Sequence, residues 1–111
     1  MVNCQDMYNV EYGGNIMKKP SKNADWQQFL KFCAKFKTAE QFDAFFEVFL
    51  TINEREELLA RFKIVKELLK GEKTQREIAD EHKVSIAKIT RGSNQLKMID
   101  ERFKKFIQNL I

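Results

Sequence analysis

From Trp26 to the C-terminus, apolar side chains recur three and four positions apart, and few residues interrupt that spacing. A period near 3.6 builds amphipathic helices; a strand would need a period of two. Trp26, Phe29, Leu30, Cys33 and Phe36 line one face over 21–37, and Phe42, Phe45, Phe46, Phe49 and Leu50 do the same over 38–50. Thr38 and Gln41 have the spacing of a capping box, which opens the second of these helices. Asn53 and Glu56 have an equivalent spacing and open a third, through Leu58, Leu59, Phe62, Val65, Leu68 and Leu69. Gly71 stands at its left-handed stop. Thr74 and Glu77 form another box before a short fourth helix with Ile78 and Ala79 inward. Ser85 caps a fifth helix reaching about Lys97, and Asp100 a sixth with Phe103, Phe106 and Ile107 on one face. The expected class is all-α. One Pro and four Gly among 111 residues are too few for a turn-rich β fold.

Residues 1–20 show no period, and Gly13-Gly14 and Pro20 break any pattern there, so they are expected to form a flexible N-terminal arm. Met17, followed by Lys18-Lys19-Pro20, offers an alternative start. The helical domain is expected over 21–111.

Charged residues make up 32% and hydrophobic ones 43%, too apolar a mixture for a disordered tail. No run of about 18 apolar residues predicts a membrane span, and no apolar run after a basic start predicts a secretory leader. Cys4 and Cys33 do not make a disulfide framework, so a reduced, cytoplasmic protein is expected. Seven of the ten Phe lie between residues 29 and 49. Two helices carrying that much aromatic surface cannot hide it in so small a monomer, which points to an obligate homodimer.

Enzymatic chemistry has little to work with. His82 is the only histidine, and the two cysteines lack metal-ligand spacing. Cys33 on an apolar helical face reads as buried and inert, and the glycines form no phosphate-cradling loop. Glu54, Glu56 and Glu57 open a helix, where they favour its dipole. No metal site is expected.

The charge becomes informative when divided. Residues 61–97 carry ten Lys/Arg against five Asp/Glu, while residues 1–60 carry seven against nine. One basic segment on a near-neutral remainder suggests a polyanion-facing surface. Within it, TQREIADEHKVSIAKITR (74–91) reads as a short helix, a tight turn and a second helix. Ala79 is small where two helices pass closely, Ile78 and Ile89 are apolar where they meet, Val84 is apolar at the turn, and Ser85 caps the second helix. That is a helix-turn-helix, whose second helix enters the major groove. A glycine commonly occupies its turn; here the place falls at His82-Lys83, so a residue with a Cβ carries the left-handed cost.

The run LTINEREELLARFKIVKELLKGEKTQREIADEHKVSIAKITRGSNQLK, residues 50–97, resembles the tryptophan repressor family. ITRGSN followed by Leu96-Lys97 is its most specific part, and Trp26 in an aromatic N-terminal helix agrees. The resemblance covers about residues 24–110 and is weaker before 50. The family is itself a standard example of helix-turn-helix docking and of base contacts carried through water. The resemblance implies an intertwined homodimer of six-helix subunits with its helix-turn-helix at about 74–97, binding double-stranded operator DNA. It also implies L-tryptophan as corepressor and control of tryptophan biosynthesis or transport genes.

Carried over residue by residue, Arg61 and Arg91 match the arginines that sandwich the indole, and Arg91 also pairs with the ligand carboxylate. Gly92 would leave space beside the ring, and Gln95 stands beside the ligand. The backbone carbonyls of Val48 and Leu50, with Thr51, would come from the other subunit to meet the ammonium and carboxylate. A guanidinium can stack on an indole and bind a carboxylate through two parallel hydrogen bonds. Gln75, Arg76, Ile86, Ala87, Lys88 and Thr90 match DNA-facing positions. Some positions depart from the family pattern. Ala79 replaces a lysine used on DNA, Lys88 a threonine on the recognition helix, and Gln95 a serine beside the ligand; Ile52 stands where a proline is common. Three functions follow for comparison: a tryptophan-dependent repressor, a DNA-binding regulator of the same type that does not respond to tryptophan, and a helical interaction module without DNA binding.

Overall fold

The computed structural model describes residues 23–111, so the arm expected over 1–20 lies outside the described residues. Six helices and no strand are found among the described residues: α1 (Ala24–Cys33), α2 (Ala39–Phe49), α3 (Ile52–Lys70), α4 (Gln75–His82), α5 (Ile86–Met98) and α6 (Glu101–Leu110). They fall into two compact units, the first ending at Leu50 and the second running Thr51–Ile111.

In the first unit, α1 starts where Asn23 Oδ1 accepts the N–H groups of Asp25 at 3.0 Å and Trp26 at 3.2 Å. It stops four residues short of the expected end at Lys37. The reason lies downstream: Gln41 Oε1 accepts the N–H of Lys37 at 2.7 Å and the N–H of Thr38, while Thr38 Oγ1 accepts the N–H of Gln41 at 3.1 Å. The entry to α2 therefore captures donors that a longer α1 would have used. The two helices meet through aromatic rings centred on Phe45, the buried side chain of α2, with Phe29 and Phe32 of α1 at centroid distances of 6.0 and 5.9 Å. Cys33 is only half-buried. Trp26, Leu30, Phe32, Val48 and Phe49 stay exposed on the single chain.

In the second unit, the cap of α3 stands two residues before the expected Asn53. Thr51 is the cap: its Oγ1 accepts the N–H of Glu54 at 3.1 Å, and Glu54 Oε1 accepts the N–H of Thr51 at 2.9 Å. Thr51 and Asn53 both stand three residues before a glutamate, and the earlier pair extends the helix by a further half turn. The helix ends at Gly71, which is left-handed at φ 69° as expected.

The buried face of α3 differs from the expected one. Leu58, Leu59 and Phe62 are 46%, 51% and 54% exposed, whereas Ile64, which the earlier stripe passed over, is 1% exposed. Ile64 forms the core with Ile78, Ala79 and Ile89, and Leu68 and Val84 pack against it. α3 thus carries two apolar faces, and the one turned to α4 and α5 runs through Ile64 and Leu68. α6 packs on α3, where Gln108 Nε2 donates to the carbonyl of Leu69 at 3.0 Å.

Candidate nucleic-acid interface

The helix-turn-helix is built from its caps inward. Thr74 Oγ1 accepts the N–H of Glu77 at 3.1 Å and Glu77 Oε2 accepts that of Thr74 at 3.0 Å, fixing the start of α4. The turn is made by Lys83, at φ 54° the one non-glycine in the left-handed region among the described residues. The N–H of Val84 then closes back on the carbonyl of Ala79 at 3.1 Å. Ser85 Oγ accepts the N–H of Lys88 at 3.2 Å and starts α5. Ile78 and Ile89, both fully buried, lock the two helices onto Ile64.

This core leaves the N-terminal ends of both helices bare. Gln75 and Arg76 at the start of α4, and Ile86, Ala87 and Thr90 on the first turns of α5, are exposed. Lys88 behaves differently. It is half-buried, and its ammonium lies 2.8 Å from Glu57 Oε1 on α3. The Lys88 ammonium, with Arg61 adding a smaller contribution, holds the Glu57 carboxyl below the usual glutamate range.

On the other side of α5, Gly92 is buried against α3. A Cβ at Gly92 would stand 3.1 Å from Ile64 Cγ2, 3.7 Å from Leu68 Cδ1 and 3.9 Å from Arg61 Cδ. The glycine therefore permits a close helix crossing and brings the stem of Arg61 beside α5. Arg61, Arg91 and Gln95 are themselves exposed. Val48 is exposed and Leu50 half-buried in the first unit, while the Thr51 hydroxyl is engaged as the α3 cap. The space expected beside Gly92 is taken by Ile64, a contact that sequence reasoning did not foresee.

Two charged groupings were not foreseen. The first is the Glu57–Lys88 pair. The second joins the end of α3 to the end of α4: the Lys73 ammonium binds both Glu67 and Glu81, and His82 Nε2 lies 3.3 Å from Glu67 Oε2. The hydrogen bond from Lys73, and to a lesser degree that from His82, holds the buried Glu67 below its usual range despite the opposing effect of burial. Glu67 and Glu81 in turn push the Lys73 ammonium up. Glu67, Glu81 and His82 present ligand-type atoms within 4.8 Å of one another, and the Lys73 ammonium is the cation that the two carboxylates hold. Neither grouping has a spacing that a one-chain periodicity could reveal, since the partners stand six to 31 residues apart.

No helix among the described residues is long and apolar enough to cross a membrane. The family model described as Trp repressor protein matches residues 24–111. A Trp operon repressor homolog of Chlamydia caviae is 53% identical over 94 residues, covering 85% of this chain and 93% of that protein. A protein of the same name from Chlamydia trachomatis serovar D is 45% identical over 93 residues, covering 84% and 99%. One from Vibrio vulnificus is 39% identical over 95 residues, covering 86% and 93%. An exposed helix-turn-helix on an apolar core, matched over its whole length by that model, has one reading: the chain belongs to the Trp repressor family of DNA-binding transcriptional regulators and is not an enzyme.

Proposed function

We propose that the chain is a cytoplasmic homodimeric repressor that binds operator DNA when L-tryptophan is bound, and so controls tryptophan biosynthesis or transport genes. The observation that carries the reading is the arrangement around α5. Its N-terminal end exposes Ile86, Ala87 and Thr90, while Gly92, on the same helix, packs beside the Arg61 stem of α3. A ligand held by Arg61 and Arg91 would then set the angle at which the exposed end meets the groove. Arg91 lies four to five residues after Ile86 and Ala87, a little over one turn. The residues suit L-tryptophan: two guanidinium groups can stack on an indole and grip a carboxylate. Gln75 and Arg76 at the start of α4 would contact phosphate and guanine, and Lys88 completes the set on α5.

The exposed Trp26, Val48, Phe49, Leu58, Leu59 and Phe62 support the dimer, which would cover surface that one chain leaves in water. In a dimer, two recognition helices must fit successive major grooves about 34 Å apart, so a change of angle is felt at both half-sites together.

The test is to select binding sites from a random-sequence duplex pool with L-tryptophan present, then to measure affinity with and without the amino acid at fixed salt. Much tighter binding with L-tryptophan is expected, and reciprocally the selected DNA should raise tryptophan affinity by the same factor. Equal affinities would leave a second reading, a regulator that ignores tryptophan. Gln95, exposed one turn after Arg91 where the family resemblance has a serine, is the feature that favours it.

A further inference from the structure

Lys88 is the cation of the first turn of α5, flanked by exposed Ile86 and Ala87, so it stands where a DNA backbone would approach. It is not at liberty to meet one. Its ammonium is already bound, at 2.8 Å, to Glu57 across the gap to α3. The Glu57 side chain is 66% exposed and that of Lys88 38% exposed, so the pair lies open to solvent and to an incoming polyanion. As a pair it carries no net charge. It releases no counterion on approach to DNA, whereas a lone lysine would.

We propose that Glu57 is a built-in competitor of the DNA backbone for Lys88: it holds the recognition-helix ammonium in the free protein and must be displaced by phosphate. The proposal rests on α5 being the DNA-facing helix, and not on tryptophan as ligand. The pair is not needed to hold α5 in place. Ile89 is buried in the core and Gly92 lies against Ile64, one turn beyond Lys88. An exposed ion pair adds little to such packing. The lysine stem is long and rotatable, so the ammonium can move from a carboxylate to a phosphate without any movement of the helix. Glu57 remains beside the site as a fixed negative charge after it has lost its partner, and that charge opposes DNA. Glu57 therefore lowers the sequence-independent part of DNA affinity and makes it less sensitive to salt.

The experiment uses the full chain, saturating L-tryptophan and a mixed-sequence duplex, which reads phosphate contacts alone. Glu57→Gln is expected to tighten binding by about three- to tenfold, and to steepen the slope of log affinity against log salt by about 0.9 per chain. Lys88→Gln in the parent should weaken binding by about two- to threefold, because it leaves Glu57 as an unpaired negative charge; in the Glu57→Gln background the same change should cost more, since it removes a lysine free to meet phosphate. Measured against Lys88→Gln, the double variant should gain less than Glu57→Gln gains against the parent. Both positions are exposed, and thermal unfolding followed by circular dichroism verifies that each variant is folded. Binding that weakens or stays the same in Glu57→Gln overturns the proposal; a weakening would mark the pair as a brace for α5. An equal gain in both backgrounds also overturns it, because the effect would then be bulk charge and not release of Lys88. A parent chain that fails to bind the duplex even at low salt overturns the DNA-binding reading, and this inference falls with it.

Discussion

Replacing Gly92 with alanine tests the packing on which α5 depends. Two effects oppose each other. Removing a glycine from a helix interior stabilises the folded chain by about 0.5–1 kcal/mol. Against this, the new methyl would stand 3.1 Å from Ile64 Cγ2. Carbon atoms pack comfortably at about 3.5–4.0 Å, so one of the two helices must give by roughly 0.5 Å. Ile64 is enclosed by Ile78, Ala79 and Ile89 and has nowhere to retreat. Overpacking of this kind costs about 1–3 kcal/mol. The expected balance is a net loss of about 1 kcal/mol, with bounds near zero and about 2.5. Urea unfolding at a fixed chain concentration measures it, since the stability of an oligomer depends on concentration. Ile64→Leu removes the β-branch methyl while keeping volume, so in the double variant the loss should be smaller than the sum of the single losses. A Gly92→Ala chain that gains about 1 kcal/mol, the full helix-propensity effect, would refute the reasoning by showing that α5 is not pressed against Ile64.

Further outcomes follow from the same geometry. Arg91→Ala should weaken L-tryptophan binding at least about thirtyfold, since a lost enclosed charge pair costs about 2–5 kcal/mol, whereas Arg61→Ala, losing stacking only, should cost about 1–2 kcal/mol; calorimetric titration separates them, and parent-like binding by both would remove the assigned site. Lys83→Gly relieves the left-handed cost at φ 54°. Part of that is offset by greater freedom of the unfolded chain, so a gain of about 0.5–1 kcal/mol in urea unfolding is expected, and a loss would contradict the turn. Glu67, held below its usual range chiefly by Lys73, contributes stability that is present above the ordinary glutamate pKa and is lost as pH falls through the lower folded value. Thermal unfolding of Glu67→Gln should therefore lie below the parent near neutral pH and converge with it in acid; a constant gap down to pH 2 would show that Glu67 does not titrate with folding.

Much of this architecture was legible in the residues, and the gaps have physical causes. The Thr38, Thr74 and Ser85 caps, the stop at Gly71 and the non-glycine turn at Lys83 are local, so a few neighbouring residues decide them. The start of α3 was misplaced because two overlapping pairs, Thr51 with Glu54 and Asn53 with Glu56, carry the same signal. Ile64 was passed over because α3 has two apolar stripes, and the larger, Leu58, Leu59 and Phe62, is the one left exposed on the single chain. Arg61 and Gly92 were reached through the family resemblance, since nothing in their own spacing distinguishes them from solvated or packing residues. The Glu57–Lys88 pair spans 31 residues and depends on how two helices cross, which no periodicity records.

The crossing at Gly92 also sets the mechanics of the recognition helix. α4 is tied to the end of α3 by Lys73 and His82 converging on Glu67. Ahead of the buried Ile89, the first turn of α5 is tied to α3 by one solvent-exposed ion pair. A pivot of α5 about the contact of Gly92 with Ile64 would make the helix a lever. Six residues separate that point from Ile86, an arm of about 9 Å at 1.5 Å per residue. A rotation of about 10° at the fulcrum displaces the tip by roughly 1.6 Å, enough to take a base contact from about 2.9 Å to beyond hydrogen-bond reach. Small rotations of α5 beside Arg61 are thus magnified at its exposed N-terminal end.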